Sequence, residues 1–259
     1  MAGRLVRVRD ICTSKSVAHP PAPQYGVLYY QLQKALVYCP IYKAASTSVL
    51  HWLLKMKGVD AGRAVKITKR QISDIVRQHY PSLDYPAADE LLKSSKIRFM
   101  IVRHPFERIL SAYRDKLENS TAGPEHGTVH FYQKYGRKIV EKYRIAKSSK
   151  IEPTFEEFVH YLIDTDLSLY ADDHWIPYYL FCTPCSIDYD VIIHFETIQE
   201  DLRMLLDLIG DNSGPEKVHS NSPKRSSYYD GLSRDLIVKL HEKYKVDFEM
   251  FGYSIDAYI

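Results

Sequence analysis

The chain has 259 residues, of which 45% are apolar and 26% charged, a composition that excludes intrinsic disorder and fibrous repeats. Lys plus Arg number 35 against 32 Asp plus Glu, and the resulting net charge of +3 is too small to hold a nucleic acid by bulk charge. Four cysteines do not make a disulfide scaffold, and no apolar run reaches the roughly 18 residues that span a bilayer.

Residues 1–24 read as a flexible arm, with Arg4, Arg7, Arg9 and Lys15 followed by the extended run His19-Pro20-Pro21-Ala22-Pro23. They lack the apolar block of a signal peptide, so no address is visible in the chain. Residues 25–259 read as one domain.

Ala35 to Tyr38 is a short buried strand, and Ser46 to Lys57 a helix that Gly58 stops. Ile97 to Val102 is the clearest strand. Phe106 to Glu118 follows as a helix with proline just before it, where the missing N–H costs nothing.

Phe131 to Lys147 is a basic amphipathic segment. Thr154 to Glu157 is a capping box opening a helix to Asp164, and Asp190 to Phe195 is a third strand. Thr197 to Glu200 is a second capping box, whose helix runs to Ile209 with Gly210 as its stop, and Ser233 to Lys245 is a final helix.

Strands alternating with helices predict an α/β fold with a central parallel sheet. In such sheets ligands bind beyond the carboxyl ends of the strands. The loops after Tyr38, Val102 and Phe195 are therefore the ones to inspect.

The first loop carries Tyr42, Lys43, Ala44, Ala45, Ser46, Thr47 and Ser48. Small side chains let backbone N–H groups approach a phosphate, a helix N-terminus adds partial positive charge, and hydroxyls donate further bonds. The loop lacks the Gly-Lys-Ser/Thr ending of a Walker A motif. It also fits a plain N-cap with Lys43 on the surface. The second loop and its helix read Arg103, His104, Pro105, Phe106, Glu107, Arg108, Ile109, Leu110, Ser111. An arginine fork at a strand end and a hydroxyl on the second helical turn can grip another phosphate. The same residues also fit a local ion pair and a helix-surface serine.

Taken together, the two loops resemble the 5′-phosphosulfate-binding loop and the 3′-phosphate-binding motif of the Golgi carbohydrate sulfotransferases. Thr154 to Asp164, His174-Trp175, Cys182 to Asp190 and Val246 to Ser254 are similar to segments of the chondroitin 4-sulfotransferase type. The resemblance covers roughly residues 25 to 259. Tyr42 stands where that group usually has proline, Ser46 where it often has cysteine, and His104 where it has aspartate.

The resemblance implies a P-loop-like three-layer fold with a central parallel sheet, the sulfotransferase fold. It implies 3′-phosphoadenylyl sulfate as donor, no metal, and an acidic glycosaminoglycan acceptor. It also implies residence in the Golgi lumen, with membrane attachment only through an N-terminal anchor of the family type, which this chain does not display. Lys43 would stabilise the leaving phosphate, residues 42–48 and 103–111 would hold the donor, and His174 would be the base. A carboxylate of Asp172 or Asp173 could orient His174, and His104 is its rival.

An acidic acceptor needs basic residues, and Arg137, Lys138, Lys142, Arg144, Lys147 and Lys150 are the densest set, although such runs also form plain solvated faces. Lys224-Arg225-Ser226 is a weaker candidate for nucleotide contact. A different glycan acceptor, a catalytically silent glycan-binding protein on the same scaffold, and a nucleotide kinase are the alternatives. Cys182 and Cys185 are free to pair with each other, with Cys12 or Cys39, or to stay reduced. Asn119-Ser120-Thr121 is a glycosylation sequon, a tripeptide that also arises by chance.

Overall fold

A computed structural model describes residues 2–14, 17–121, 127–145, 149–215 and 227–259. In chain order its elements are α1 (Ala2–Cys12), β1 (Tyr29–Gln31), β2 (Leu36–Cys39), α2 (Ser46–Met56), α3 (Ala61–Thr68), α4 (Ile72–His79), α5 (Tyr85–Ser94) and β3 (Ile97–Val102). There follow α6 (Pro105–Lys116), α7 (Thr128–Phe131), a π-helical turn (Tyr132–Gly136), α8 (Arg137–Tyr143), α9 (Phe155–Asp164), α10 (Leu167–Tyr170) and α11 (Tyr178–Phe181). β4 (Val191–His194), α12 (Ile198–Ile209), α13 (Ser227–Asp230) and α14 (Arg234–Phe251) complete the chain. Its contacts group into two compact units. One comprises Met1–Arg103, Tyr178–Ser222 and Glu249–Gly252, and the other His104–Pro177, Pro223–Phe248 and Tyr253–Ile259.

The first unit is α/β and holds the sheet, in the order β1-β2-β3-β4. β2 runs parallel to β3 and β3 to β4, with Cys39 opposite Met100 and Val102 opposite His194. β1 is antiparallel to β2, an edge strand that the sequence reading did not anticipate. All four residues of β2 and the last four of β3 are buried, as a parallel sheet buried on both faces requires. α2 begins at Ser46 as expected and is followed by Gly58 at φ +70°. α12 ends on Gly210 at φ +61°, where the missing Cβ makes a left-handed residue inexpensive.

Part of the expected N-terminal arm is a helix, α1, tied to the unit. Arg4 donates to Asp201 at 2.5 Å, to the Thr197 hydroxyl at 3.0 Å and to the Ile192 carbonyl at 2.9 Å. That tie also corrects the expected second capping box. The Thr197 hydroxyl donates to Asp201 at 2.7 Å and makes no cap bond, because Arg4 and Asp201 recruit it instead. Two disulfides, Cys12–Cys185 and Cys39–Cys182, use all four cysteines.

The second unit is helical around an aromatic core that includes Phe106, Tyr113, Phe131, Phe155, Phe158, Trp175, Tyr229, Tyr244 and Phe248. The capping box at α9 forms in both directions. Thr154 Oγ1 accepts from the Glu157 N–H at 3.1 Å, and Glu157 Oε2 accepts from the Thr154 N–H at 2.7 Å. The expected amphipathic segment over 131–147, of which 131–145 are described, contains the π turn. There Gly136 lies so close to the Tyr132 ring that a Cβ would sit 2.7 Å from its Cδ2. Among the described residues, no helix is long and apolar enough to cross a membrane.

Candidate active site

In the first unit the chain leaves β2 at Cys39 and enters α2 at Ser46. Between them Lys43 has φ +69° and Ala45 φ +62°. A non-glycine residue in this left-handed region costs about 1–2 kcal/mol, so two of them in one short loop need support from their surroundings. Alternating left- and right-handed residues turn successive N–H groups toward one concave side, a nest that suits an anion. Ala45, the N-cap residue of α2, supplies no side-chain cap bond, so the first turn keeps its N–H groups for the concave side. Thr47 is exposed, Tyr42, Lys43, Ala45 and Ser48 are half-buried, and Ala44 and Ser46 are buried.

Support for the strained loop comes from several directions. Cys39, at its base, is bonded to Cys182. The Tyr42 ring lies 6.4 Å from Phe181, the last residue of α11. Arg103, at the end of β3, donates from Nη1 to the Lys43 carbonyl at 3.3 Å, and its guanidinium stacks over Phe195 at 4.8 Å. Tyr178, the first residue of α11, donates its hydroxyl to the Arg103 carbonyl at 2.7 Å. The two loops that the sequence singled out therefore meet at Lys43 and Arg103, and α11 braces both. Sequence reasoning missed Tyr178 and Phe181 and left Cys39–Cys182 as one of several open pairings, because nothing in the local pattern of 178–185 marks it as the partner of loops 75 to 143 residues away. Thr47 and Ser48 also line an open cleft of about 620 Å³ that continues along His51, Trp52 and Lys55 of α2. That volume is within the usual range for small-molecule sites.

The remainder of the second motif belongs to the second unit, where most of it is core. Pro105, Phe106, Glu107, Arg108, Ile109 and Leu110 are buried. Glu107 accepts from the Tyr258 hydroxyl at 2.8 Å. Arg108, 1% exposed, donates to the carbonyls of Ile176 at 2.6 Å and Asp173 at 2.9 Å, so its charge anchors the loop that carries His174. These side chains are turned into the fold of the second unit, where Ser111 is half-buried; Arg103 is half-buried in the first unit. The rival base His104 is enclosed by Phe106, Phe248, Tyr253 and Tyr258, and one ring nitrogen lies 2.9 Å from the Ser254 carbonyl oxygen.

His174 has the setting of a base. Its Nδ1 lies 2.7 Å from Asp172 Oδ1, and Asp172 also accepts from the Tyr135 hydroxyl at 3.1 Å. Phe131 meets the imidazole edge-on at 5.2 Å. Burial pushes the Asp172 carboxyl up, but the hydrogen bond and charge of His174 outweigh it and hold the group below the ordinary carboxylate value. Burial and the neighbouring Asp172 charge push Asp173 the other way. A carboxylate on Nδ1 fixes the orientation of the imidazole. The Tyr135 contact was not legible in the sequence, since the π turn sets the direction of that side chain.

The basic run divides on inspection. Arg144 is a structural residue, making two 2.9 Å bonds to the Glu157 carboxylate and further bonds to the carbonyls of Lys150 and Glu152. Lys142 pairs with Asp164 at 3.3 Å. Arg137 and Lys138 are exposed on α8, and Lys150 is exposed. Lys147, with Lys224, Arg225 and Ser226, lies outside the described residues. Cys182 and Cys185 are both in disulfides, and no group of His, Cys, Asp or Glu among the described residues is placed to hold a metal.

Comparison with known proteins bears on the same loops. A family model described as "Sulfotransferase family" matches residues 28–254. The chain is 29% identical to carbohydrate sulfotransferase 14 of Danio rerio, over 96% of this chain and 70% of that protein. It is 28% identical to carbohydrate sulfotransferase 11 of Mus musculus (86% and 66% covered) and 28% identical to carbohydrate sulfotransferase 10 of Homo sapiens (97% and 75%). It thus spans about two thirds to three quarters of the length of these relatives. No solved structure matches the chain significantly.

Proposed function

The chain belongs to the sulfotransferase family, and from that premise we propose that it transfers a sulfuryl group from 3′-phosphoadenylyl sulfate to a glycan hydroxyl, the 4-hydroxyl of N-acetylgalactosamine in chondroitin or dermatan. The observation that carries the reading is the left-handed pair Lys43 and Ala45 at the foot of α2, with the Arg103 guanidinium on the Lys43 carbonyl. Two phosphate-adapted elements side by side suit a donor with phosphates at both ends of its adenosine. The chondroitin assignment rests on the similarity of residues 154–164, 174–175, 182–190 and 246–254 to that branch. The three relatives differ in number but hardly in identity, so they do not choose the acceptor.

The reaction breaks the bond between sulfur and the bridging oxygen of the phosphosulfate and forms one between sulfur and the acceptor oxygen. Like phosphoryl transfer, it needs positioning and charge stabilisation more than covalent catalysis. The Lys43 ammonium neutralises the negative charge that grows on the departing phosphate oxygen. Backbone N–H groups of residues 45–48, with the hydroxyls of Thr47 and Ser48, hold the 5′-phosphate; the Ala44 N–H, expected to join them, donates instead to the Ile41 carbonyl at 3.3 Å. Arg103 and Ser111 hold the 3′-phosphate. His174 Nε2 takes the proton of the acceptor hydroxyl while Asp172 holds the ring by Nδ1 and balances the imidazolium that results.

The two disulfides support a lumenal site of action, because structural disulfides persist in oxidising compartments. The Golgi lumen is the compartment that the family resemblance suggests.

The test is transfer of labelled sulfate from 3′-phosphoadenylyl sulfate to desulfated chondroitin, with Lys43→Ala as control. Thermal shift with adenosine 3′,5′-bisphosphate against magnesium ATP accompanies it. Stabilisation by the bisphosphate and loss of transfer in Lys43→Ala are expected. Undiminished transfer by Lys43→Ala would remove the catalytic assignment. A panel of other desulfated glycosaminoglycans checks the acceptor, and preference for another glycan would reject chondroitin while leaving sulfuryl transfer standing.

A further inference from the structure

We propose that Asn119 carries an N-linked oligosaccharide. The proposal rests on the lumenal part of the reading above, and on geometry independent of the donor loops. Asn119-Ser120-Thr121 is the chain's single Asn-x-Ser/Thr tripeptide with no proline in the middle. It stands in the turn that follows α6, and both Asn119 and Thr121 are exposed. The Thr121 hydroxyl and the Thr121 N–H both donate to Asn119 Oδ1, each at 3.0 Å. The turn thus uses the carbonyl oxygen of the amide and leaves the nitrogen as the reacting atom. A donor on Oδ1 draws electron density toward oxygen and makes the Nδ2 protons more acidic.

The middle residue fixes the turn to the body of its unit. Ser120 is 4% exposed, its N–H and hydroxyl donate to Glu152 Oε1 at 3.1 and 2.7 Å, and its carbonyl accepts from the Thr128 hydroxyl at 2.8 Å. Buried at its centre and exposed at both ends, the tripeptide presents Asn119 outward from a fixed base, so a bulky sugar is accommodated without displacing core. The lumenal part rests on the two disulfides, which pair all four cysteines. Structural disulfides persist in oxidising compartments, the setting in which oligosaccharides are attached to asparagine.

Attachment makes one bond at Asn119 and breaks one in the sugar donor. Asn119 Nδ2 forms a bond to the anomeric carbon of a lipid-linked oligosaccharide diphosphate, the co-reactant that the compartment's membrane transferase supplies. The bond from that carbon to the diphosphate oxygen breaks, the lipid diphosphate leaves with the electron pair, and Nδ2 loses one proton.

The experiment uses the full chain expressed in animal cells. Mobility is read before and after peptide-N-glycosidase digestion, with mass spectrometry of the Asn119 peptide and a non-reducing gel to follow the disulfides. The wild type is expected to run faster after digestion. Asn119→Gln and Thr121→Ala should run at the digested position from the outset, while Thr121→Ser should keep the shift. An unmodified Asn119 peptide in the wild-type protein, with disulfides closed or open, overturns the proposal, as does a digestion shift that survives in Asn119→Gln. Sulfate transfer measured on the same preparation separates the two readings. Glycan without transfer counts against the enzymatic reading alone, and transfer without glycan against this one alone.

Discussion

The two units hold the groups proposed for the reaction by different means. In the first, Lys43 and Ala45 sit in a backbone conformation that costs energy, held by a disulfide at Cys39, a ring contact at Tyr42 and hydrogen bonds through Arg103 and Tyr178. In the second, His174 sits in an ordinary loop, and the constraint is on side chains: Asp172 on Nδ1, Phe131 against the ring, and buried Arg108 clamping the flanking carbonyls. A site that must offer N–H groups to an anion is shaped through its main chain. A site that must move one proton is shaped through its rings and carboxylates. Substitutions in the two units should therefore fail in different ways.

The largest effect is expected at the base. His174→Ala should lower the transfer rate by roughly 10²–10⁴-fold, with bisphosphate affinity unchanged. Asp172→Asn should fall part of the way, since the ring loses its orienting carboxylate. Normal turnover in His174→Ala would reject the assignment. Next in size, Arg144→Ala leaves Glu157 buried without its bidentate partner and should cost about 3–5 kcal/mol in urea unfolding, not affinity for glycan. A stable Arg144→Ala protein with a raised acceptor KM would return Arg144 to the glycan-binding face.

A third test concerns pH and the first unit. Burial, with the Arg4 charge, lowers the His194 imidazole from 6.5 to about 4, so the folded ring stays neutral. As pH falls below 6.5 the unfolded chain takes up a proton that the fold refuses until about 4, and stability is lost across that window. Linkage puts the loss at about 3 kcal/mol, and His194→Gln should flatten it in melts taken from pH 7 to 4. Parallel curves for variant and wild type would dismiss His194 as the cause. Smallest of all, Tyr178→Phe removes one bond to the Arg103 carbonyl. It should weaken bisphosphate binding about fivefold by calorimetry, the equivalent of roughly 1 kcal/mol. Unchanged affinity would show that α11 braces nothing.

Much of this architecture was legible because local pattern decided it. β3, α2, the capping box at Thr154 and the stops at Gly58 and Gly210 follow from hydrophobic period and capping chemistry within a few residues. Lys43 and Arg103 were singled out because they follow strands, and His174 because His174-Trp175 resembles a segment of the chondroitin 4-sulfotransferase type and follows two aspartates. What escaped was set by distant partners. Thr197 abandons its cap for Arg4, 193 residues away, and Arg144 leaves the basic surface for Glu157. Phe106 to Leu110 look like a ligand motif in one dimension, yet their helix turns them inward. The helices α3 to α5 lie where no motif drew the reading, and the cysteine pairing depends on the closed fold.

That pairing has an outcome for how the molecule is made. Cys12 and Cys39 leave the ribosome more than a hundred residues ahead of Cys182 and Cys185, and each finds its native mate only in that late tetrapeptide. Until then, among the cysteines of this sequence, the two early thiols have only each other. Oxidation ahead of synthesis yields a 12–39 bridge that thiol exchange has to undo before the base of the lysine loop can be locked.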